Sequence, residues 1–382
     1  MKNVPRIAGK KLKYLASKFP AVAITGPRQS GKTTLAKMVF PAKPYISLEN
    51  PDIKRLAEDD PRQFLDRYPG GAILDEVQRA PHLFSYLQQI LDESKKNGLY
   101  ILTGSNQFLL QENISQTLAG RIAYIELLPY SFQELQLASK KKLILEQVLF
   151  TGAYPAIYTR RMKPQDWFPN YIRTYIDRDV RLLKNISNLS VFTKFIRLCA
   201  ARTGQLLNMN NLAIETGVDN KTIQAWISIL ESSYLIHFLR PYHKSFSKRL
   251  VKMPKLYFYD TGLVCALIEI PDAKALSLHP IRGSLFENLV INELLKRRFN
   301  NGLRSNLYFW RDNKGKEIDV VMDTGLKAQA IEIKAGTTLQ DEFFSNLFYW
   351  QRLTGTKKGR LVYGGKETYQ YKNFSVQSWQ DL

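Results

Sequence analysis

Along the first 130 residues, short apolar runs alternate with stretches of helical period. Residues 21–25 form an unbroken apolar run of strand length, followed by a glycine-containing turn and helical spacing over 33–39. Further strands are predicted at 45–48, 72–74, 100–103 and 122–128, with helices between them, 82–94 among these. Apolar strands alternating with helices predict a parallel sheet covered on both faces. A mainly helical stretch follows, from Ser131 to Ile186.

The rhythm changes near residue 190. Helices are expected over 192–202, 209–216 and 221–233; Gly217 supplies a stop for the second, and Asp219 or Asn220 a cap for the third. Strand-like runs at 235–240 and 255–259 bracket a basic loop, 244–252. Helix, turn, helix and then a β-hairpin is the order of a winged helix. A strongly periodic helix over 284–299 opens the last part. Strands follow at 306–311, 317–322 and 328–333, then a helix at 343–353 and a strand at 359–362. The predicted division is 1–135, 136–189 as a helical lid or connector, 190–260 and 261–382.

Composition narrows the class. The chain has 382 residues, 45% of them hydrophobic, enough for two or three domains with real cores. No apolar run reaches the ~18 residues of a membrane-spanning helix, and the basic start lacks a signal-type apolar stretch, so a cytoplasmic protein is expected. Two cysteines, Cys199 and Cys265, sit in no metal-ligand spacing and form no disulfide framework. The net charge is +21, and it is uneven: residues 160–260 hold 17 basic and 7 acidic side chains, nearly half the excess. Such a balance favours a polyanion partner.

The stretch Gly26-Pro27-Arg28-Gln29-Ser30-Gly31-Lys32-Thr33, with Thr34 after it, fits the phosphate-loop pattern G-x-x-x-x-G-K-[ST] in its proper setting, strand before and helix after. Its glycines let the backbone fold around phosphate oxygens, and N–H groups at the helix start face the anion. Lys32 is expected on the β- and γ-phosphates of ATP, and Thr33 on Mg²⁺. Asp75 and Glu76 close the apolar run 72–74: Asp75 to hold Mg²⁺, Glu76 to orient or deprotonate the attacking water. Ser105 or Asn106, ending the next strand, suit a γ-phosphate contact or a helix cap. Arg121 is a candidate arginine finger or a structural ion pair, with Arg178 and Arg181 behind it.

These residues resemble the AAA+ class of P-loop ATPases. The order of Leu74-Asp75-Glu76-Val77-Gln78, Leu102-Thr103-Gly104-Ser105, Leu118-Ala119-Gly120-Arg121, Gly152-Ala153-Tyr154-Pro155 and Tyr259-Asp260-Thr261-Gly262-Leu263 resembles prokaryotic AAA-type ATPases with a C-terminal domain of unknown function. The resemblance implies an α/β fold: an AAA+-like parallel sheet with a helical lid, then a winged helix and a restriction-endonuclease-like α/β domain. It also implies ring-like homo-oligomers in which a neighbour's arginine completes the site.

Two further groups carry chemistry. In the middle part, Asn220, Lys221, Thr222 and Gln224 open the second helix of the winged-helix pattern, and Lys244, Lys248, Arg249 and Lys252 lie in its wing. These types suit base edges and phosphates of DNA, although winged helices also serve as protein contacts. In the last part, Glu332 and Lys334 share one face of a strand. Asp319 can join them from the neighbouring strand, and Glu287 from the preceding helix. Three carboxylates and a lysine suit metal-dependent hydrolysis. Asp319, Glu332 and Lys334 resemble the signature of the PD-(D/E)xK nuclease superfamily, whose implied metal ligands here are Glu287, Asp319 and Glu332.

Overall fold

A computed structural model of the chain describes residues 4–105, 117–139, 142–175, 188–242, 251–325, 327–356 and 358–382. Two compact units emerge. The first is Met1–Glu134 with two returning segments, Ser232–Tyr234 and Lys296–Arg304; the second is Leu135–Glu231, Leu235–Leu295 and Ser305–Leu382. The second therefore takes in most of the segments expected as lid, winged helix and C-terminal domain.

In the first unit, strands β1 (Ala21–Thr25), β2 (Tyr45–Ser47), β3 (Ile73–Asp75), β4 (Tyr100–Gly104) and β5 (Ile122–Glu126) form one sheet in the order β2-β3-β4-β1-β5. Every pairing is parallel. The two-residue period of the strands splits the core. Ala21, Ala23, Leu74 and Leu102 face helices Pro51–Asp59, Pro61–Asp66 and Leu83–Ser94. Val22, Ile24, Ile73, Ile101 and Ile125 face helices Ala8–Ala16 and Lys32–Val39. With both faces covered, β1 and β4 are buried throughout, hence their unbroken apolar sequence. The sequence reading missed helices Pro51–Asp59 and Pro61–Asp66, whose signals are short. Asn50 accepts N–H bonds from Asp52 (2.9 Å) and Ile53, Asp60 accepts one from Gln63 (2.8 Å), and a proline occupies the first helical position of each.

The second unit is built on an eight-stranded mixed sheet, in the order β12-β13-β11-β10-β9-β8-β6-β7. Its strands are β6 (Ile236–Pro241), β7 (Lys255–Phe258), β8 (Leu307–Arg311), β9 (Glu317–Asp323), β10 (Ala328–Lys334), β11 (Gly359–Tyr363), β12 (Tyr369–Tyr371) and β13 (Phe374–Ser378). The sequence reading stopped at β11. The antiparallel β6–β7 hairpin continues into the sheet through Arg240↔Tyr308 and Pro241↔Phe309. Before it come helices Leu189–Ala201, Met209–Thr216 and Asn220–Ser232. Gly217 ends the second at φ 75°, and Asp219 Oδ1 caps the third by accepting the Thr222 N–H at 2.7 Å. The wing residues Lys244, Lys248 and Arg249 lie outside the described residues, as do Asn106, Arg178 and Arg181.

The stretches 152–155 and 259–263 form one junction in this unit. Asp260 Oδ1 accepts the Leu263 N–H (3.0 Å), capping helix Thr261–Leu267, while Oδ2 accepts the Ala153 N–H (2.7 Å). Gly152 sits at φ 68°, where a Cβ would lie 2.1 Å from Asp260 Oδ1. The carboxylate thus locks the Gly152–Pro155 turn to the helix start, and this role is architectural.

Candidate functional site

Because β1, β3 and β4 run parallel, their polar C-terminal ends line one edge of the sheet, where open α/β sheets bind ligands. The phosphate loop leaves β1 there. Gly26 has φ 141°, and a Cβ on it would stand 2.2 Å from the Leu127 carbonyl oxygen. Gly31, at φ 97°, turns the chain into helix Lys32–Val39. Neither position tolerates a side chain. Pro27 and Ser30 are buried, Arg28 is half-buried, and Gln29 and Thr34 are exposed. Lys32 is buried and donates to its own loop's carbonyls, Gly26 O at 2.9 Å and Pro27 O at 2.8 Å. Burial pushes its pKa down, against the pull of Glu76 and Asp75. The Ser30 hydroxyl is buried and makes no hydrogen bond. A buried ammonium satisfied by carbonyls alone, beside an unpartnered hydroxyl, is chemically ready for an anion.

Asp75 ends β3 among hydroxyls. Oδ1 accepts Thr33 Oγ1 at 3.0 Å and the Thr103 hydroxyl, and Oδ2 accepts Tyr45 Oη at 2.8 Å. Burial, then the Asp75 carboxylate, raise the Tyr45 phenol to about 12, so it stays a donor. Glu76 adopts φ 54°. Its Oε2 accepts Ser105 Oγ at 3.0 Å, the Ser105 N–H at 3.3 Å and Gln78 Nε2. Ser105, a candidate for a γ-phosphate contact or a helix cap, holds Glu76 here. Arg6 was not singled out from sequence, yet it buttresses the loop. It donates to Ser30 O and Leu128 O, each at 2.6 Å, and pairs with buried Glu134 at 3.0 Å.

In the second unit, Asp319, Glu332 and Lys334 come together. Lys334 Nζ lies 2.9 Å from Glu332 Oε2 and 3.4 Å from Asp319 Oδ2, which also accepts the Ile333 N–H at 2.8 Å. Glu332 is fully buried and its Oε1 has no partner. Burial, then Asp319, push its pKa up, against Lys334. Burial disfavours the charge on Lys334, but Asp319 and Glu332 outweigh it and raise its pKa. Glu287 does not join as a third free ligand. It accepts Lys255 Nζ at 3.0 Å and Tyr257 Oη at 2.5 Å, and Lys255 also reaches Glu317 at 2.5 Å. Among the described residues, no group of three or more acidic, histidine or cysteine side chains is placed to hold a metal ion. Lys255 Nζ lies within ion-pair distance of both Glu287 and Glu317.

Family comparisons follow this layout. Residues 18–136 match the AAA domain, 142–274 a domain of unknown function (DUF8612) and 282–382 another (DUF4143). The chain is 30% identical to the uncharacterized protein Rv2008c of Mycobacterium tuberculosis, over 87% of this chain and 74% of that protein. It belongs to the same family. It is an AAA-type ATPase with a C-terminal domain of unknown function. The uncharacterized protein MJ1544 of Methanocaldococcus jannaschii is 23% identical, over 78% of this chain and 71% of that one. The solved Walker-type ATPase PABY2304 of Pyrococcus abyssi aligns at a TM-score of 0.46 and 15% identity, over 68% of this chain and 94% of that one.

Within the ATPase, Arg121 stands apart from the phosphate loop. Register pairs Ala21 with Ile122 and Thr25 with Glu126, so Arg121 lies at the opposite edge of the sheet from Gly26. There it forms a two-point pair with Asp92, Nη2 to Oδ2 at 2.9 Å. It cannot complete its own chain's nucleotide site. On helix Asn220–Ser232 of the ATPase, Asn220, Lys221 and Gln224 are exposed and Thr222 half-buried; Lys252 is exposed beside the hairpin. No described helix is long and apolar enough to cross a membrane.

Proposed function

We propose that this ATPase hydrolyses Mg²⁺-ATP to act on DNA, and that its C-terminal domain cleaves that DNA. At the nucleotide site, Lys32 takes the phosphates in exchange for its loop carbonyls, and Ser30 Oγ gains a partner. Oxygen donors suit Mg²⁺, and Thr33 and Asp75 would hold it; bound there, it would offset phosphate charge. Glu76, oriented by Ser105 and Gln78, draws the proton from the attacking water. Arg121, at the far edge of the sheet, acts on the site of a neighbouring copy in a homo-oligomer.

DNA contact falls to the exposed start of helix Asn220–Ser232 and to the wing. The helix–helix–helix–hairpin order supports a winged helix there, and the charge excess of residues 160–260 supports a polyanion. The order of a long helix followed by β8, β9 and β10 supports a nuclease-like domain. One observation carries cleavage: Asp319, Glu332 and Lys334 converge, and the buried Glu332 Oε1 lacks a partner. Two carboxylates that would leave Mg²⁺ several waters suit phosphodiester hydrolysis, with Lys334 offsetting the developing charge. The neutralisation of Glu287 and Glu317 by Lys255 favours a second reading, a regulatory ATPase whose C-terminal domain is an inert scaffold.

Mn²⁺ binding, followed by calorimetry, and cleavage of forks, junctions and single strands separate the two. Asp319→Ala should lose metal and cleavage together. Lys334→Ala should keep the metal and lose rate by about 100-fold. Wild-type protein that binds no Mn²⁺ at this cluster and leaves all DNA intact decides for the scaffold.

A further inference from the structure

We propose that Tyr45 is a positioning residue of the nucleotide site, holding Asp75 in the orientation that receives Mg²⁺; this rests on the Mg²⁺-ATP reading above. Nothing in the phosphate-loop or acidic-strand patterns points to β2. Yet β2 pairs with β3, Tyr45 with Ile73 and Ser47 with Asp75, so the start of β2 runs beside the metal-binding strand. From there the Tyr45 hydroxyl reaches Asp75 Oδ2 at 2.8 Å.

The carboxylate geometry gives that bond its importance. Thr33 and Thr103 both donate to Oδ1. The carboxylate torsion is broad and two-fold, and its two oxygens turn together, so a donor on Oδ2 adds a restraint at the opposite end of the group from the two on Oδ1. Tyr45 supplies that donor and so helps to hold the carboxylate plane. The phenol ring is itself pinned: Lys37 Nζ stands 3.3 Å from its centroid. Lys37 belongs to the helix that begins at Lys32, so the ring links the phosphate-loop helix to Asp75. A hydroxyl placed only for fold stability has little reason to sit on a 37% exposed ring and aim at a metal-site carboxylate.

The test uses the full chain and fluorescence of N-methylanthraniloyl-ATP. Tyr45→Phe keeps the ring and the Lys37 contact and removes the hydroxyl alone. Nucleotide affinity in EDTA should match wild type. The Mg²⁺ concentration that half-saturates the metal-dependent fluorescence change should rise about tenfold, the scale of one hydrogen bond to a charged group. Mn²⁺ titration followed by electron paramagnetic resonance, with nucleotide present, should show the same weakening. Lys37→Met should move the Mg²⁺ half-point in the same direction by a smaller factor. An unchanged Mg²⁺ half-point in Tyr45→Phe overturns the role, as does an equal loss of affinity in EDTA, which would mark a purely structural residue. Wild-type binding that is indifferent to Mg²⁺ overturns the underlying metal reading, and the Tyr45 proposal with it.

Discussion

The nucleotide site and the C-terminal cluster each bring carboxylates and lysine into a buried place, but they arrange the charges in opposite ways. In the first, Asp75 is approached by the hydroxyls of Thr33, Thr103 and Tyr45, and Lys32 by backbone carbonyls. Their hydrogen-bond partners are neutral groups, so neither is matched in a direct ion pair. In the second, Lys334 pairs with Glu332 and Asp319, and Lys255 with Glu287 and Glu317. There the ions mostly answer one another. A site satisfied by neutral groups depends on its ligand for charge balance. A self-neutralised one depends on itself for stability, because breaking a buried pair leaves an uncompensated charge.

The largest effect should follow from removing the ligand-directed charges. Lys32→Ala is expected to cut ATP affinity and hydrolysis by at least about 100-fold, the scale of a lost charge contact to transferred phosphate. Glu76→Gln should bind ATP and hold it, with turnover lowered by a similar factor. Neither should disturb the second unit. All five tryptophans, Trp167, Trp226, Trp310, Trp350 and Trp379, belong to that unit, so intrinsic fluorescence reports on it alone. Radiolabelled ATP hydrolysis beside a fluorescence-detected urea melt checks both halves. Full hydrolysis in either variant would refute the assignment of the site.

The self-neutralised side should break differently. Lys255 is 4% exposed, and its removal leaves Glu287 and Glu317 facing each other without the cation. Lys255→Ala should cost the second unit about 3–5 kcal/mol. At an m value of about 2 kcal/mol/M, the tryptophan-detected urea midpoint should fall by about 2 M. Adding Glu287→Gln should restore part of the loss, because one stranded charge goes. A double variant no more stable than Lys255→Ala would mean that the pair carries less charge than its geometry implies.

The same contrast explains what was legible in the sequence. The phosphate loop, Asp75 and Glu76 were readable because backbone spacing fixes their chemistry within a few residues of strand or helix. The strands β1, β3 and β4 were readable for the same local reason: burial on both faces leaves short, mostly apolar runs. Tyr45, Arg6 and Lys255 were not. Each reaches its partner across 24 or more positions, Arg6 to Ser30, Tyr45 to Asp75 and Lys255 to Glu287, and no local period encodes such a meeting. Asp319, Glu332 and Lys334 lay between these cases. Their strand register was predictable, but the capture of Glu287 by a hairpin lysine was not. Gly152 and Asp260 were visible as motifs, while their meaning needed the 2.7 Å bond from the Ala153 N–H.

The smallest expected effect sharpens the comparison through pH. His237 on β6 is buried, its Nε2 2.9 Å from Asn292 Oδ1, with its ring 5.7 Å from Tyr257 and 4.7 Å from Tyr259. Burial pushes its pKa down to about 4 from the usual 6.5, although the Asn292 bond works the other way. The unfolded chain therefore binds a proton as pH falls below about 6.5, and the folded chain does not until about 4. Stability rises with pH wherever the unfolded state binds more protons, so this contribution is complete above 6.5 and is lost on acidification. The whole window is worth about 3 kcal/mol, of which about 2 kcal/mol should be gone by pH 5. His237→Gln keeps a polar side chain that can donate to Asn292 and cannot titrate. Tryptophan-detected urea midpoints at pH 7.5 and 5.0 should drop by about 1 M more in wild type than in the variant. Other groups of the second unit titrate in the same range, but they are common to both proteins and cancel in the difference. An identical acid drop in the two would mean that His237 is not held neutral, and that the self-neutralised unit owes its acid response to its carboxylates.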